Sequence, residues 1–154
     1  MLFRSYYQAF TADQLAWIEQ DLQDAQSLPF RITMFHCPIT GAGFYGPNFV
    51  LVEELLPILH QYNVTVTVHG HAHHFERGLL ENPNEGFQDL TFYCVGTGSG
   101  LADVGLRPVE ETIVCSASPS YTECYATEDQ LAFTTYTFDG DVIDYYVITA
   151  QGAL

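Results

Sequence analysis

The chain has 154 residues and a formal charge of −15, from 4 Lys and Arg against 19 Asp and Glu. Its length fits one domain, residues 1–154, and its 47% apolar and 14% aromatic content excludes a disordered acidic tail and a coiled coil. All the cations are Arg, so we expect no basic surface for nucleic acid or an anionic membrane. If the substrate is anionic, its charge has to be met by something else, such as a bound metal.

The beginning of the chain predicts a helix followed by a strand. Residues 11–14 read T-A-D-Q, a capping box that opens a helix. Apolar residues then recur at helical spacing over 15–25, and Pro29 ends the pattern. A short run rich in β-formers, residues 31–35, leads directly into His36.

The next segment predicts a second helix and a second strand, which together with the first strand make a β-α-β unit. Asn48 can cap the helix, and Pro57 within it should kink or shorten it. Residues 64–68 are the clearest strand in the chain, and they run into the histidine-rich segment 69–74.

After this unit the pattern becomes β alone, with at least three more strands. Leu90–Val95 reads as a strand that ends in a Gly-rich loop, residues 96–100, which we interpret as a tight turn near the site. Residues 131–138 and Val142–Thr149 read as two strands joined by Asp139-Gly140, a strong hairpin signal.

The four cysteines form no C-x-x-C pair, so a structural zinc knuckle is not expected. Cys115 and Cys124 bracket a short loop. They could close a disulfide ring or remain two ordinary thiols, and the sequence leaves both alternatives open.

Five of the six histidines sit at two places, and both places follow predicted strands: His36, His69, His71, His73 and His74. In open α/β sheets the carboxyl ends of the strands are where ligands bind. Neutral imidazoles suit ions such as Zn, Fe and Mn, so the pattern predicts a metal site at this edge. The sixth histidine, His60, is expected to be a surface side chain.

The motifs around these histidines resemble the purple acid phosphatase branch of the calcineurin-like metallophosphoesterases. Residues 70–77 read G-H-A-H-H-F-E-R, which is similar to that branch's G-H-x-H-x-Y-E-R signature, with Glu76 expected in the turn after it. Residues 36–39, H-C-P-I, resemble its H-x-P-[hydrophobic] motif. Residues 14–18 and 93–100 resemble the helix before the first motif and the strand and loop after the second, so the similarity covers roughly residues 11–100.

The resemblance implies a dinuclear metal centre, with Fe and either Zn or Mn, that hydrolyses phosphate monoesters. His36 and His71 would bind one metal and His73 the other. Tyr45 stands where many relatives have a histidine that contacts the phosphate, and His74 is the nearest imidazole that could compensate; we take both as candidate catalytic residues. An extracytoplasmic location is also expected from the resemblance.

In the family, the other ligand motifs, of the D-x-[GD], G-D-x-x-[DY] and G-N-H-[DE] types, lie upstream of the H-x-P motif, and none of them precedes His36 in this sequence. We therefore expect an α/β fold that is the C-terminal half of a four-layer α/β/β/α sandwich, with a mixed sheet ending in an antiparallel hairpin. The chain alone should be inactive, and its exposed sheet should bind the missing N-terminal half or a second copy. The rival interpretations are a non-catalytic structural or metal-binding module, and a different metallohydrolase completed by a partner chain.

Overall fold

The first helix begins at the predicted capping box. The computed structural model describes residues 9–99 and 101–150. Helix α1 (Ala12–Asp24) starts after Thr11, whose hydroxyl accepts a hydrogen bond from the Gln14 backbone N–H, while the Gln14 side chain accepts one from the Thr11 N–H. Leu22 anchors the helix in the core. The predicted start of this helix is confirmed.

The second helical segment shows the expected effect of its proline. Asn48 Oδ1 accepts from the Leu51 N–H at the start, a π-helical segment follows over Leu51–Leu55, and helix α2 occupies Leu56–Gln61. Pro57 lies in the first turn of α2 and has no N–H to donate to the preceding turn. The α-helical hydrogen-bond pattern is therefore interrupted before Pro57, and the preceding turn, Leu51–Leu55, adopts the wider π-helical form.

Five strands form a mixed sheet in the order β1-β2-β4-β3-β5. They are β1 (Ile32–Met34), β2 (Val66–His69), β3 (Phe75–Leu80), β4 (Leu90–Val95) and β5 (Thr112–Ser116). Strands β1, β2 and β4 are parallel, and β3 is antiparallel to both of its neighbours. The β-α-β unit predicted from the sequence is confirmed, and the carboxyl ends of β1 and β2 lie at the same edge.

Three further strands form an antiparallel sheet: β6 (Ser120–Ala126), β7 (Gln130–Thr137) and β8 (Val142–Thr149), in that order. The hairpin between β7 and β8 turns at Gly140, whose φ of 93° suits glycine. This sheet packs on the mixed sheet through a cluster that includes Tyr93 and Phe133, with ring centroids 4.6 Å apart. The predicted mixed sheet and antiparallel hairpin are confirmed.

Strand β3 was not expected, because polar residues occupy its centre. Glu76 and Arg77 are both buried within it. Arg77 forms two hydrogen bonds, of 2.7 and 2.9 Å, to the Asp144 carboxylate on β8 and lies over the Tyr146 ring at 4.3 Å. The buried Arg77–Asp144 ion pair therefore joins the two sheets. The hydrophobic pattern of the sequence does not predict this strand.

Two smaller expectations are settled by burial and bonding. The expectation that His60 is a surface side chain is wrong: it is buried in α2, at a point where the segment after β3 packs on the helix and the Asn82 side chain donates to the His60 carbonyl at 3.2 Å. Cys115 and Cys124 are free thiols, as are the other two cysteines.

Within residues 9–99 and 101–150, no helix has the length and apolar content that crossing a bilayer requires.

Candidate metal centre

Two of the predicted ligands meet where β1 and β2 end. His36 Nε2 lies 3.2 Å from His71 Nδ1, and the two rings cross at 77° with centroids 5.0 Å apart. The Gly70 N–H donates to the His36 carbonyl at 3.0 Å, which joins the two strand ends. Because β1 and β2 are adjacent and parallel, the fold brings together two residues that are 35 positions apart in the chain.

The backbone at His71 is in the left-handed region, with φ of 61°. A non-glycine residue held there costs about 1 kcal/mol or more unless its surroundings impose it. Here the neighbouring Ala72 N–H donates to the Gly70 carbonyl at 2.7 Å, and the Cys94 thiol donates to the Ala72 carbonyl at 3.3 Å. The histidine loop is thus bent sharply and supported from β4.

His73 is held by the segment that follows the Gly-rich turn, Gly96–Gly98. Its backbone N–H donates to Asp103 Oδ2 at 3.0 Å, and its carbonyl accepts from the Asp103 N–H at 3.0 Å. Its ring Nδ1 lies 3.0 Å from Ser99 Oγ. The sequence places the Gly-rich loop, residues 96–100, near the site, but it does not single out Ser99 within that loop or Asp103 beyond it.

The pKa of the His71 ring is affected by burial and by its charged neighbours. Burial lowers the pKa of the His71 ring, and the nearby His36 and His73 lower it further, while Asp103 acts in the opposite direction. A lowered pKa favours the neutral ring, which is the form that binds a metal.

Tyr45 lies beside this cluster. Its ring centroid is 4.5 Å from that of His71 at a tilt of 44°, and its side chain is 54% exposed. The loop between β1 and the second helical segment therefore brings a phenol to the open side of the histidines. The position is suited to a hydrogen-bond donor for a bound anion.

His74 and Glu76 face inward instead. They are 1% and 0% exposed, and His74 Nε2 lies 2.8 Å from Glu76 Oε2 while its Nδ1 lies 3.4 Å from Asp103. Glu76 also accepts from the Ala42 N–H at 2.8 Å and the Thr112 hydroxyl at 2.6 Å. Glu76 therefore belongs to strand β3, and the expectation that it lies in a turn is wrong. The burial of His74 does not fit contact with a substrate, since carboxylates face both ring nitrogens of His74.

The His36–His71 pair fits two positions on one metal ion. Two imidazole nitrogens bound at 2.0–2.1 Å to a tetrahedral ion are about 3.3 Å apart, close to the observed 3.2 Å. Among the residues that the structure describes, however, no group of three or more His, Cys, Asp and Glu side chains converges on one point. The described residues therefore supply part of a donor set.

Comparison with known proteins finds relatives of this chain, although no family model matches it. Over 91 residues it is 34% identical to tartrate-resistant acid phosphatase type 5 of Sus scrofa, which covers 59% of this chain and 25% of that protein. Over 128 residues it is 27% identical to purple acid phosphatase 3 of Arabidopsis thaliana, which covers 81% of this chain and 34% of that protein.

Two solved structures share the architecture. Purple acid phosphatase PPD1 from yellow lupin (Lupinus luteus) superposes with a TM-score of 0.78 at 19% identity, over 92% of this chain and 29% of that one. GAP50 of Plasmodium superposes with a TM-score of 0.77 at 18% identity, over 90% of this chain and 42% of that one.

The shared architecture and the sequence similarity show that the described residues form part of a calcineurin-like metallophosphoesterase fold. Within that fold class, the similarity is to the purple acid phosphatases, as the motifs predicted. The chain spans between a quarter and about a third of the length of the curated relatives that it matches.

Proposed function

We propose that this chain carries the histidine ligands of a dinuclear metal centre that hydrolyses phosphate monoesters. His36 and His71 would hold one ion and His73 the other, with Fe and either Zn or Mn as the metals. The observation that carries the proposal is the 3.2 Å approach of two ring nitrogens at the shared end of β1 and β2. Such ions, when bound, neutralise phosphate oxygens and activate a water for in-line attack.

The chain's own side chains would orient the substrate. The exposed Tyr45 hydroxyl would donate a hydrogen bond to a phosphate oxygen beside His71, which holds the ester in place while it reacts. His74, enclosed by Glu76 and Asp103, would not touch the substrate and would instead support the loop that carries His73.

The rest of the ligand set would come from polypeptide that packs on the β1 edge. In the described sheet, β1 is the last strand on its side, and the apolar side chains of Trp17, Ile32 and Met34 beside it are 45–77% exposed. They line a groove of about 840 Å³ that extends to His36. An exposed apolar strand edge favours pairing with another strand. We propose the N-terminal half of a phosphoesterase domain as the occupant, with self-association of the 1–154 domain as the alternative.

Calorimetric titration with Zn²⁺ tests the ligand assignment. We expect the chain to bind Zn²⁺ weakly, and the His36→Ala and His71→Ala variants to bind it at least tenfold more weakly, since even the loss of a hydrogen bond to a metal ligand costs about 10–100-fold. The control is His60→Gln, which changes a histidine in α2 and should leave binding intact. Equal affinity in all four proteins would contradict the assignment.

A chromogenic phosphomonoester assay tests the need for further ligands. We expect no chelator-sensitive turnover from residues 1–154 with added Zn²⁺, Mn²⁺ or Fe, because the described residues contain no group of three donors. Turnover at ~1 per second or faster, which is the usual enzyme range, would show that the chain holds a complete site.

The second candidate is a non-catalytic structural module. Two observations favour it: the incomplete donor set in the described ranges, and the likeness to GAP50, which is described as the anchor in the inner membrane complex of Plasmodium. A purely structural module of this kind has no need of metal, so it predicts no Zn²⁺ binding that depends on His36 and His71, and the titration separates it from the first candidate. A module that binds metal without catalysis would bind Zn²⁺ through the same histidines.

An extracytoplasmic location is part of the proposal. It is supported by the similarity to purple acid phosphatases, many of which are extracellular. An oxidising compartment favours disulfides, whereas Cys115 and Cys124 are free thiols in this structure. Mass spectrometry of the unreduced protein would show whether the two thiols stay free there.

A further inference from the structure

The segment after β4 does more than close a turn, because it contacts His73 at both its backbone and its ring. We propose that Ser99 is a positioning residue that fixes the tautomer of His73, with the proton on Nδ1 and the lone pair on Nε2. The proton placement stands on the hydrogen bonds of Ser99, and only its purpose, to present Nε2 to a metal, rests on the proposed function.

The single proton of the Ser99 hydroxyl determines which tautomer of His73 is favoured. A serine hydroxyl has one proton to donate and two lone pairs that accept. Ser99 Oγ has three neighbours: the Leu101 carbonyl at 3.1 Å, the Leu101 N–H at 3.2 Å and His73 Nδ1 at 3.0 Å. The carbonyl can only accept and the N–H can only donate. All three contacts are satisfied together when Ser99 donates to the carbonyl and accepts from a protonated Nδ1.

The opposite tautomer loses a contact. If His73 Nδ1 carried the lone pair, Ser99 would have to turn its single proton toward the ring. Its oxygen would then face the Leu101 carbonyl oxygen at 3.1 Å with no proton between them. The loss is on the scale of one hydrogen bond, which changes an equilibrium by about tenfold.

Two contacts hold the segment that carries Ser99 against the histidine loop. Asp103 forms two 3.0 Å hydrogen bonds with the His73 backbone, one in each direction. The Gly96 backbone lies so close to the histidine loop that a Cβ added there would be 1.9 Å from the Ala72 carbonyl oxygen. The backbones that carry the ring and the hydroxyl are therefore held against each other at two points.

The consequence is that the two histidines of the H-x-H motif use different ring nitrogens. His71 directs Nδ1 toward His36 Nε2, whereas Ser99 occupies Nδ1 of His73 and leaves Nε2 as its metal-binding atom. A partner on the non-ligating nitrogen is the usual way in which proteins orient a metal-binding histidine. Ser99 fills this role with a hydroxyl, and Asp103 fixes the backbone.

Long-range ¹H–¹⁵N NMR of the metal-free, ¹⁵N-histidine-labelled chain tests the proposal at a pH where the ring is neutral. The His73 signals are assigned by their loss in His73→Gln. We expect the wild-type ring to be protonated on Nδ1. The Ser99→Ala variant should shift the tautomer ratio about tenfold toward Nε2–H, and Ser99→Thr, which keeps the hydroxyl, should restore it.

The control is Ser118→Ala, since Ser118 is exposed and outside this segment. A wild-type ring protonated on Nε2 would overturn the proposal without any variant, so a Ser99→Ala chain that fails to fold does not prevent a decision. An unchanged ratio in folded Ser99→Ala would also overturn it. Because no metal and no activity is involved, failure here differs from failure of the proposed function, which the Zn²⁺ titration detects.

Discussion

Replacement of Gly96 by alanine tests whether the segment after β4 and the histidine loop are in close backbone contact. A Cβ at this position would lie 1.9 Å from the Ala72 carbonyl oxygen and 2.9 Å from its carbon. Both atoms belong to the backbone, so no side-chain rotation relieves the clash. The two segments must separate by roughly 1 Å, and overpacking of this kind typically costs 1–3 kcal/mol.

Gly98 provides a matched control in the same turn. No atom lies within 4 Å of a Cβ built there. Gly98→Ala should therefore be neutral or stabilising by up to about 1 kcal/mol, because alanine restricts the unfolded chain. The two variants make the same chemical change two residues apart. They differ in whether the added Cβ meets the Ala72 backbone.

Urea unfolding followed by circular dichroism measures the difference. With an m-value of about 2 kcal/mol/M, a cost of about 2 kcal/mol lowers the midpoint of Gly96→Ala by about 1 M. The variant should also shift the NMR signals of the His73 backbone amide, since its bonds to Asp103 must adjust. If Gly96→Ala and Gly98→Ala unfold at the same urea concentration, the close approach of the two segments is wrong.

The remaining predictions concern charge and pH. Burial lowers the pKa of His69 from 6.5 to about 4, so the unfolded chain binds a proton before the folded chain does as the pH falls. The contribution of the neutral ring to the free energy of unfolding is therefore full above pH 6.5 and should drop by about 2 kcal/mol by pH 5. Urea titrations at the two pH values should show this loss in the wild type and not in His69→Gln. Asp144→Asn should cost about 3 kcal/mol, because it leaves the buried Arg77 without its charged partner, whereas the exposed Asp141→Asn should change the urea midpoint little. Tyr45→Phe, in a metal-loaded protein that hydrolyses phosphate esters, should lower turnover by ~10-fold, the scale of one hydrogen bond; an unchanged rate would mean that Tyr45 only packs in its loop.

The local patterns of the sequence determined the framework of this protein. The capping box at Thr11, the interruption at Pro57 and the hairpin at Gly140 depend on interactions within a few residues of chain, and all three occur where the pattern predicts them. The sequence also predicted that His36 and His71 lie at neighbouring strand ends, since β-α-β connectivity makes the two strands parallel neighbours.

Only the tertiary structure decided which side chains face the site. His73 and His74 are adjacent in sequence, yet His73 contacts Ser99 while His74 is enclosed by Glu76. His73 contacts Ser99, which is 26 positions away in the sequence, and His74 contacts Asp103, which is 29 positions away. Hydrophobic periodicity reports the burial of apolar faces, and it carries no signal for a buried carboxylate such as Glu76. Such a group is stable in the core because hydrogen-bond donors from distant segments surround it, and that arrangement exists only once the chain has folded.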